Sequence, residues 1–359
     1  MRILLISNMY PSKEYPSFGV FVKNFIENLR NDFNVSFVLA LIKGRQTFFF
    51  KKILIYIYHY ADIIYKGLTS NYNLIYLHYI SHSALPVIFV KLLTGKLLVI
   101  NAHGSDVISD NKVLKIGAYF IRKLVTLSDC IVVPSKYYKE VMLRKYNVDD
   151  SKFYISPSGG VDTSLFTAYE RESNCNELII GYVSNLVPGK GWDIFIDALL
   201  ILKDKINVRA IMVGDGVDRD KLANKIKKNN IDHLVEMCGL LPQKDLPGVY
   251  NKLDVFIFPT TRLAESLGLV GIESMSCGVP VIGSNIGGPS EYIVDGKNGY
   301  KFISGNAIDL ASKMQIFNDL PIEDVNLIRR NCIVTAEKFD NKSVTKRMYD
   351  RLDNILWEK

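Results

Sequence analysis

Two glutamates eight positions apart, Glu265 and Glu273, flank the point where a helix should begin. They lie in Pro259-Thr-Thr-Arg-Leu-Ala-Glu265-Ser-Leu-Gly268-Leu-Val-Gly-Ile-Glu273-Ser-Met-Ser-Cys-Gly278-Val-Pro280. Pro259 stops a strand, and the apolar spacing after it starts a helix at Leu267 or Gly268. The free N–H groups at that tip, unobstructed at Gly268, suit a pyrophosphate. Glu273 then sits about 10 Å or less from the tip, within reach of a nucleotide lying across it. Its helical neighbours Leu269, Val270, Ser276 and Cys277 include no base. A carboxylate on such a face needs partners from elsewhere, and sugar hydroxyls serve. The competing reading is two ordinary helix-start acids favoured by the dipole.

A second candidate is Asn101-Ala-His103-Gly-Ser-Asp106, which follows an apolar strand. Glycine beside the histidine lets the ring approach a ligand closely. Taken alone, such a histidine is equally a structural hydrogen-bonder, with Asp106 orienting its ring or capping the next segment. Other chemistries lack their residues. Ser7–Gly19 holds no GxGxxG, and neither a P-loop nor a GxSxG elbow occurs. The five histidines show no metal-ligand spacing, and no DxD-like pair lies in a suitable post-strand loop.

The elements that must position these residues alternate. Arg2–Ser7 and Leu178–Val183 are apolar strand runs, each followed by a loop and a helix, Val20–Leu29 and Trp192–Leu202. Further strand runs are 35–39, 74–77, 97–101, 130–133, 209–213, 254–258 and 279–282. Continuous apolar strands separated by helical patterns predict parallel sheets covered on both faces. The expectation is therefore an α/β chain of two Rossmann-like domains facing a cleft, with ligands at the carboxyl ends of the strands. The domains fall at 1–165 and 166–342, the break lying within Ser156–Ser173, and 343–359 form a final helix with one buried stripe.

The 359 residues are 48% hydrophobic and 23% charged, which excludes disordered and fibrous classes. The longest uncharged stretch, Gly67–Val90, carries Asn71, Asn73, His78, His82 and Pro86, so a spanning helix is not expected. The start, MRILLISNMY, meets Pro11 at once and lacks a secretory pattern. Five scattered cysteines without a CxxC pair point to a reducing compartment. Net charge is +7 and uneven: residues 1–165 hold 20 Lys/Arg against 11 Asp/Glu. A basic half suits an anionic partner, nucleic acid or an anionic membrane surface.

The stretch around Glu265 and Glu273 resembles the E-x7-E motif of retaining glycosyltransferases of the GT-B "glycosyl transferase group 1" family. The resemblance continues through Gly283-Ser-Asn-Ile-Gly-Gly-Pro-Ser-Glu291, Asp295-Gly-Lys-Asn-Gly299 and Val213-Gly-Asp-Gly216. It covers roughly residues 178–310 closely and the first half loosely. It implies a nucleotide-sugar donor site in the second domain and an acceptor side in the first, with the last helix packing back on the first domain. Glu265 would hold donor-sugar hydroxyls, Glu273 the ribose hydroxyls, and the Gly268 and Leu269 amides the diphosphate, with Ser266 beside them. Lys190, in Val187-Pro-Gly-Lys190-Gly191, matches the lysine that neutralises the leaving diphosphate. Where the family often carries an arginine, this chain has Asn185. His103 would sit beside the reacting sugar. Gly19, in Ser17-Phe18-Gly19-Val20, matches a loop that approaches diphosphate and acceptor, though Phe18 replaces a second glycine.

Glu265, His103 and Lys190 are thus the expected catalytic residues, with Glu273, Asn185, Gly268, Leu269, Gly19 and Ser266 on the donor. No metal or cofactor is expected. The reaction implied is retaining transfer from a nucleotide diphosphate sugar, UDP-linked before GDP-linked, to a glycan or lipid-linked acceptor in bacterial-type surface polysaccharide assembly. The rivals are a GT-B nucleotide-sugar epimerase and a non-catalytic sugar-nucleotide-binding partner. Lys43–Tyr60 mixes cations with six aromatics and reads either as a surface for anionic lipid or as a core helix, with Ile53, Ile57, Tyr60 and Ile64 on one face. The expected location is cytoplasmic, peripheral at the inner face of the membrane, without nucleic acid.

Overall fold

The computed structural model describes residues 1–15, 18–45, 48–104, 106–107, 112–170 and 177–358, without the side chains of Phe49 and of residues 112–116. Ser17 and Ser105 of the motifs above, Ser173 at the end of the inter-domain break, and one of the five cysteines, Cys175, lie outside the described residues.

The first unit comprises Met1–Gly160 and Lys342–Lys359. Its strands and helices alternate as β1 (Arg2–Tyr10), α1 (Val20–Phe33), β2 (Ser36–Lys43), α2 (Phe49–Thr69), β3 (Leu74–His78), α3 (Ala84–Thr94), β4 (Leu97–Asn101), α4 (Lys112–Leu127), β5 (Cys130–Val133), α5 (Lys136–Tyr146) and β6 (Phe153–Ile155). The sheet order is β2-β1-β3-β4-β5-β6, with every pairing parallel. Alternate side chains serve opposite faces, the period-two rule of a strand. Ile3, Leu5, Tyr76 and Val99 pack with Val22, Ile26 and Leu29 of α1. Leu4, Ile6, Leu77 and Ile100 pack with Ile63, Val87 and Leu124 on the other side. Both faces are dry, so the strands read as unbroken apolar runs.

The second unit is Val161–Asn341. It runs β7 (Leu178–Val183), α6 (Trp192–Leu202), β8 (Val208–Val213), α7 (Arg219–Lys228), β9 (Val235–Gly239), α8 (Leu246–Tyr250), β10 (Val255–Phe258), α9 (Leu269–Ser276), β11 (Val281–Ser284), α10 (Pro289–Tyr292), β12 (Gly299–Phe302), α11 (Ala307–Asn318) and α12 (Ile322–Glu337). Its sheet is also parallel, in the order β12-β11-β10-β7-β8-β9. The chain then returns to the first unit as α13 (Asn341–Trp357), whose Met348, Leu352 and Ile355 join the core around Ile3 and Leu5.

The units divide at Gly160/Val161 rather than at 165/166. Val161 and Phe166 pack into the second core, and Val161 exchanges backbone hydrogen bonds with Phe339 and Asn341 at 2.8 and 2.9 Å. Short strands β6, β9 and β12 carry too little apolar pattern to stand out in the sequence. The core-face reading of α2 holds for Ile64, which packs against the core, and for half-buried Tyr60, and is corrected for the other two positions. Ile53 and Ile57 are 42% and 61% exposed, whereas His59 and Ile63 are buried. A helix apolar nearly all round offers more than one inward stripe. Here Gly67 decides between them, because a Cβ there would lie 2.6 Å from the Val90 methyls, an approach of α2 to α3 that only glycine permits.

Candidate active site

In the second unit the loops after β7, β8, β10 and β11 leave the carboxyl edge of the sheet, and close backbone contacts fasten them together. Gly191, at φ +76°, approaches the Pro259 carbonyl so closely that a Cβ would come within 1.8 Å of its oxygen. Thr261 N–H donates to the Gly189 carbonyl at 2.9 Å, and Gly288 N–H to the Glu265 carbonyl at 2.8 Å. These ties set Lys190 against Glu265: Nζ donates to Oε2 at 2.5 Å, with the side chains 17% and 14% exposed. A half-buried cation is thereby held in place rather than swinging in water.

Gly268, left-handed at φ +80°, stands at the N-cap of α9. The first-turn amides of Leu269 and Val270 have no acceptor within the helix, so they and the helix dipole favour an anion. Ser266 and Leu267 are buried just before the cap. Glu273 is 5% exposed one turn further on, and its partners come from the protein. Gln243 Nε2 donates to Oε1 at 2.9 Å and the Tyr250 hydroxyl to Oε2 at 3.2 Å. Burial raises its carboxyl above the ordinary range, and these two hydrogen bonds oppose the rise. Each oxygen keeps a second lone pair for a ligand hydroxyl. Asn185 lies exposed at the end of β7, its carbonyl accepting Val187 N–H at 3.0 Å.

In the first unit Gly19, at φ +72°, caps α1 against the Met9 carbonyl. His103 follows β4, and its Nε2 lies 3.0 Å from Nδ1 of His78, which closes β3. The two rings stack at 5.3 Å, with Phe21 4.5 Å from His103. Burial pushes His103 down to about 3 and His78 well below its ordinary range, so both are neutral at neutral pH. Asp106 is 1% exposed beside this pair of loops. Its carboxylate accepts the backbone N–H groups of Ile80, His103 and Gly104 at 3.1, 3.0 and 2.9 Å, fixing the loops after β3 and β4.

Four residues were not singled out from sequence. Gln243 and Tyr250 reach Glu273 from 30 and 23 positions away, which no local pattern reports. His78 carried a signal, a polar residue at the carboxyl end of a parallel strand. Arg262 lies inside the Glu265 motif, and its side chain packs beside Gly189, next to Lys190. Among the described residues no three His, Cys, Asp or Glu side chains gather as metal ligands would.

Residues 168–332 match the family model of the glycosyl transferases group 1. An uncharacterized glycosyltransferase of Methanocaldococcus jannaschii is 28% identical over 87% of this chain and 88% of its own length. The putative colanic acid biosynthesis glycosyltransferase WcaL of Escherichia coli is 25% identical over 71% of this chain and 63% of its own. The crystal structure of Anabaena HepE in complex with UDP superposes with a TM-score of 0.78 at 18% identity, covering 99% of this chain and all of that one. Two parallel-sheet units of this topology define the GT-B class of glycosyltransferases. Within that class residues 168–332 are similar to the group 1 glycosyltransferases, and the chain is a glycosyltransferase.

Proposed function

We propose that this glycosyltransferase moves a hexosyl or N-acetylhexosaminyl unit, with retention, from a UDP-sugar to a hydroxyl of a lipid-linked glycan in surface polysaccharide assembly. The observation that carries the reading is the Lys190–Glu265 pair at 2.5 Å on the loops that lead into α9. Lys190 and the Leu269 and Val270 amides take the diphosphate, Glu265 and Ser266 the donor sugar, and Glu273 the ribose. Asn185 supplies a neutral donor near the phosphates, and Arg262 the second cation that Asn185 cannot be. Gly19 and His103 belong to the acceptor side. The C1–phosphate bond breaks while the acceptor oxygen bonds C1 from the same face, and its proton passes to the leaving phosphate oxygen. No protein base is then required, and fixed cations with helix amides carry the developing charge without a metal.

UDP is preferred because the HepE structure, alike in fold, is a UDP complex, and the acceptor reading follows the WcaL likeness. The peripheral location at the inner membrane face is supported by the outer side of α2 and α3. Phe50, Leu54 and Tyr58 are 80%, 67% and 74% exposed there, and Leu92 and Leu93 57% and 60%. Among the described residues no helix is long and apolar enough to cross a membrane. Thermal shift across UDP- and GDP-sugars, followed by incubation with the best donor alone, tests the reading. Stabilisation by a UDP-sugar with only slow hydrolysis is expected; conversion to an epimer, or no response to any nucleotide sugar, overturns it.

A further inference from the structure

A second group of side chains, unused by the donor chemistry, comes together within the first unit at the carboxyl edge of its sheet. Asn8 lies near the end of β1, Tyr79 and His82 in the loop after β3, and Tyr56 on the inner side of α2. The His82 ring lies 5.6 Å from that of Tyr56 and 6.1 Å from that of Tyr79, inclined by only 30° and 29°. All three residues are half-buried rather than sealed in the core. The arrangement is fixed from behind. Ser81 Oγ lies 2.8 Å from His82 Nδ1, and the Tyr60 hydroxyl donates to the His82 carbonyl at 2.6 Å.

One polar atom each of His82, Tyr56 and Asn8 is left open. His82 Nε2 has no partner among the described residues. Asn8 Nδ2 donates to the Tyr56 oxygen at 3.2 Å, which leaves the phenol proton unclaimed. Asn8 is 7% exposed, and its amide oxygen has no hydrogen-bond partner. Turning the amide over leaves its nitrogen unpartnered instead, so one end stays open in either orientation. A packed core normally satisfies such groups. Tyr79 adds strain, standing at φ +64°, a region that bulky side chains rarely enter. Its N–H donates to the Asn101 carbonyl and the next N–H, of Ile80, to Asp106, each at 3.1 Å. Strain over-determined by its surroundings clusters at ligand sites. The cluster is also uncharged, since burial and the nearby Lys52 hold His82 below its ordinary range.

We propose that Asn8, Tyr56, Tyr79 and His82 form a saccharide subsite that takes a neutral pyranose of the acceptor. The C–H face of the sugar lies on the rings, as flat apolar surfaces do on aromatic side chains. Its hydroxyls meet the Tyr56 proton, the His82 Nε2 and the open end of the Asn8 amide. The assignment rests on the glycosyltransferase reading only for the word acceptor; the site itself is tested without a donor.

The probes are the methyl glycosides of glucose, galactose and mannose, observed by saturation-transfer NMR with wild type, Tyr56→Phe, Tyr79→Gly and His82→Ala. Glycine suits the left-handed backbone at position 79, so that variant removes the ring without adding strain. At least one glycoside is expected to bind wild type, with its dissociation constant raised about tenfold in Tyr56→Phe, which removes one hydrogen bond. Larger losses are expected in the two ring deletions. Melting of each variant at the wild-type temperature excludes unfolding as the cause, and a melting shift with UDP reads the second unit separately. The proposal falls if no glycoside binds wild type, if the variants bind as wild type does, or if UDP rather than a glycoside protects these residues. A protein that binds glycosides through them but no nucleotide sugar would keep the subsite and lose the donor reading.

Discussion

Lys190 Nζ and Glu265 Oε2 meet at 2.5 Å across 75 residues of sequence, and both side chains are largely withdrawn from water. Each holds the other in place. Replacing Glu265 by Gln keeps the shape but removes the countercharge, so turnover should fall more than donor affinity. Lys190→Ala should cost more than Lys190→Arg, because a cation survives in the latter. Losing hydrogen bonds to a charged group corresponds to ~1.5–3 kcal/mol, about 10- to 150-fold in rate. Arg262→Ala should add a smaller loss, expressed as weaker binding of UDP. Added EDTA should leave wild-type activity unchanged. Transfer kinetics of wild-type quality in the Glu265 variant, or activity restored only by Mg²⁺ or Mn²⁺, would contradict these roles.

Glu273 sets stability against binding. Its folded-state affinity for a proton is raised by burial. Between the ordinary carboxylate range and that raised value the folded chain binds more protons than the unfolded one. Stability from this group is therefore greatest below the ordinary range and declines as pH rises through the window. Glu273→Gln keeps hydrogen-bond partners for Gln243 and Tyr250 without a buried charge. At neutral pH the variant should melt at or above the wild-type temperature while binding donor about tenfold more weakly. Melting curves from acid to neutral pH, paired with calorimetric titration of UDP, check both. A variant that is destabilised yet binds normally would reverse the assignment.

The sequence reads the second site well because its residues are set by local events. Pro259 ends a strand, Gly268 opens a helix, and Glu265 and Glu273 fall on either side within one short segment. Lys190 is legible for the same reason, one residue before a glycine that must touch the Pro259 carbonyl. What is hidden depends on tertiary approach. Gln243 and Tyr250 satisfy Glu273 from another helix and turn. The rotation of α2 is chosen by Gly67 against Val90, after the apolar pattern had allowed several. His78 reads as the last residue of a buried strand until β4 places His103 beside it.

His78 should determine which nitrogen of His103 carries its proton. One hydrogen is shared between His78 Nδ1 and His103 Nε2 at 3.0 Å, and both rings are neutral. The other nitrogen of His78, Nε2, is buried without a hydrogen-bond partner. A buried N–H without an acceptor is costlier than a bare lone pair. His78 therefore keeps its proton on Nδ1 and donates, which leaves the His103 proton on Nδ1. Multiple-bond ¹H–¹⁵N correlation of histidine-labelled protein should show both rings as the Nδ1–H form. His78→Phe should lower turnover about tenfold through loss of this single hydrogen bond, with UDP affinity unchanged. A spectrum with His103 protonated at Nε2 would remove His78 from any positioning role.

The outer side of α2, α3 and α4 should bind anionic lipid. The three helices carry eight Lys or Arg and a single acid, Asp62, whose carboxylate pairs with Lys66 at 2.7 Å. Phe50, Leu54, Tyr58 and Tyr65 follow one outward stripe of α2 at four- and seven-residue steps, and Leu85, Phe89, Leu92 and Leu93 one of α3 at three- and four-residue steps. A second copy of the same face would set cations against cations, whereas anionic headgroups complement them. Each Lys or Arg near such a surface contributes ~1 kcal/mol, decaying over about 8 Å at physiological ionic strength. The apolar stripe adds insertion that salt does not remove. Co-sedimentation should therefore favour vesicles containing phosphatidylglycerol over pure phosphatidylcholine, with partial release at high salt. Lys51→Glu/Lys52→Glu should lose the salt-sensitive part and Leu92→Glu/Leu93→Glu the remainder, neither pair being buried. Equal binding to both vesicle types, or a dimer in size-exclusion chromatography that the leucine variant dissociates, would reassign the face and favour a soluble acceptor.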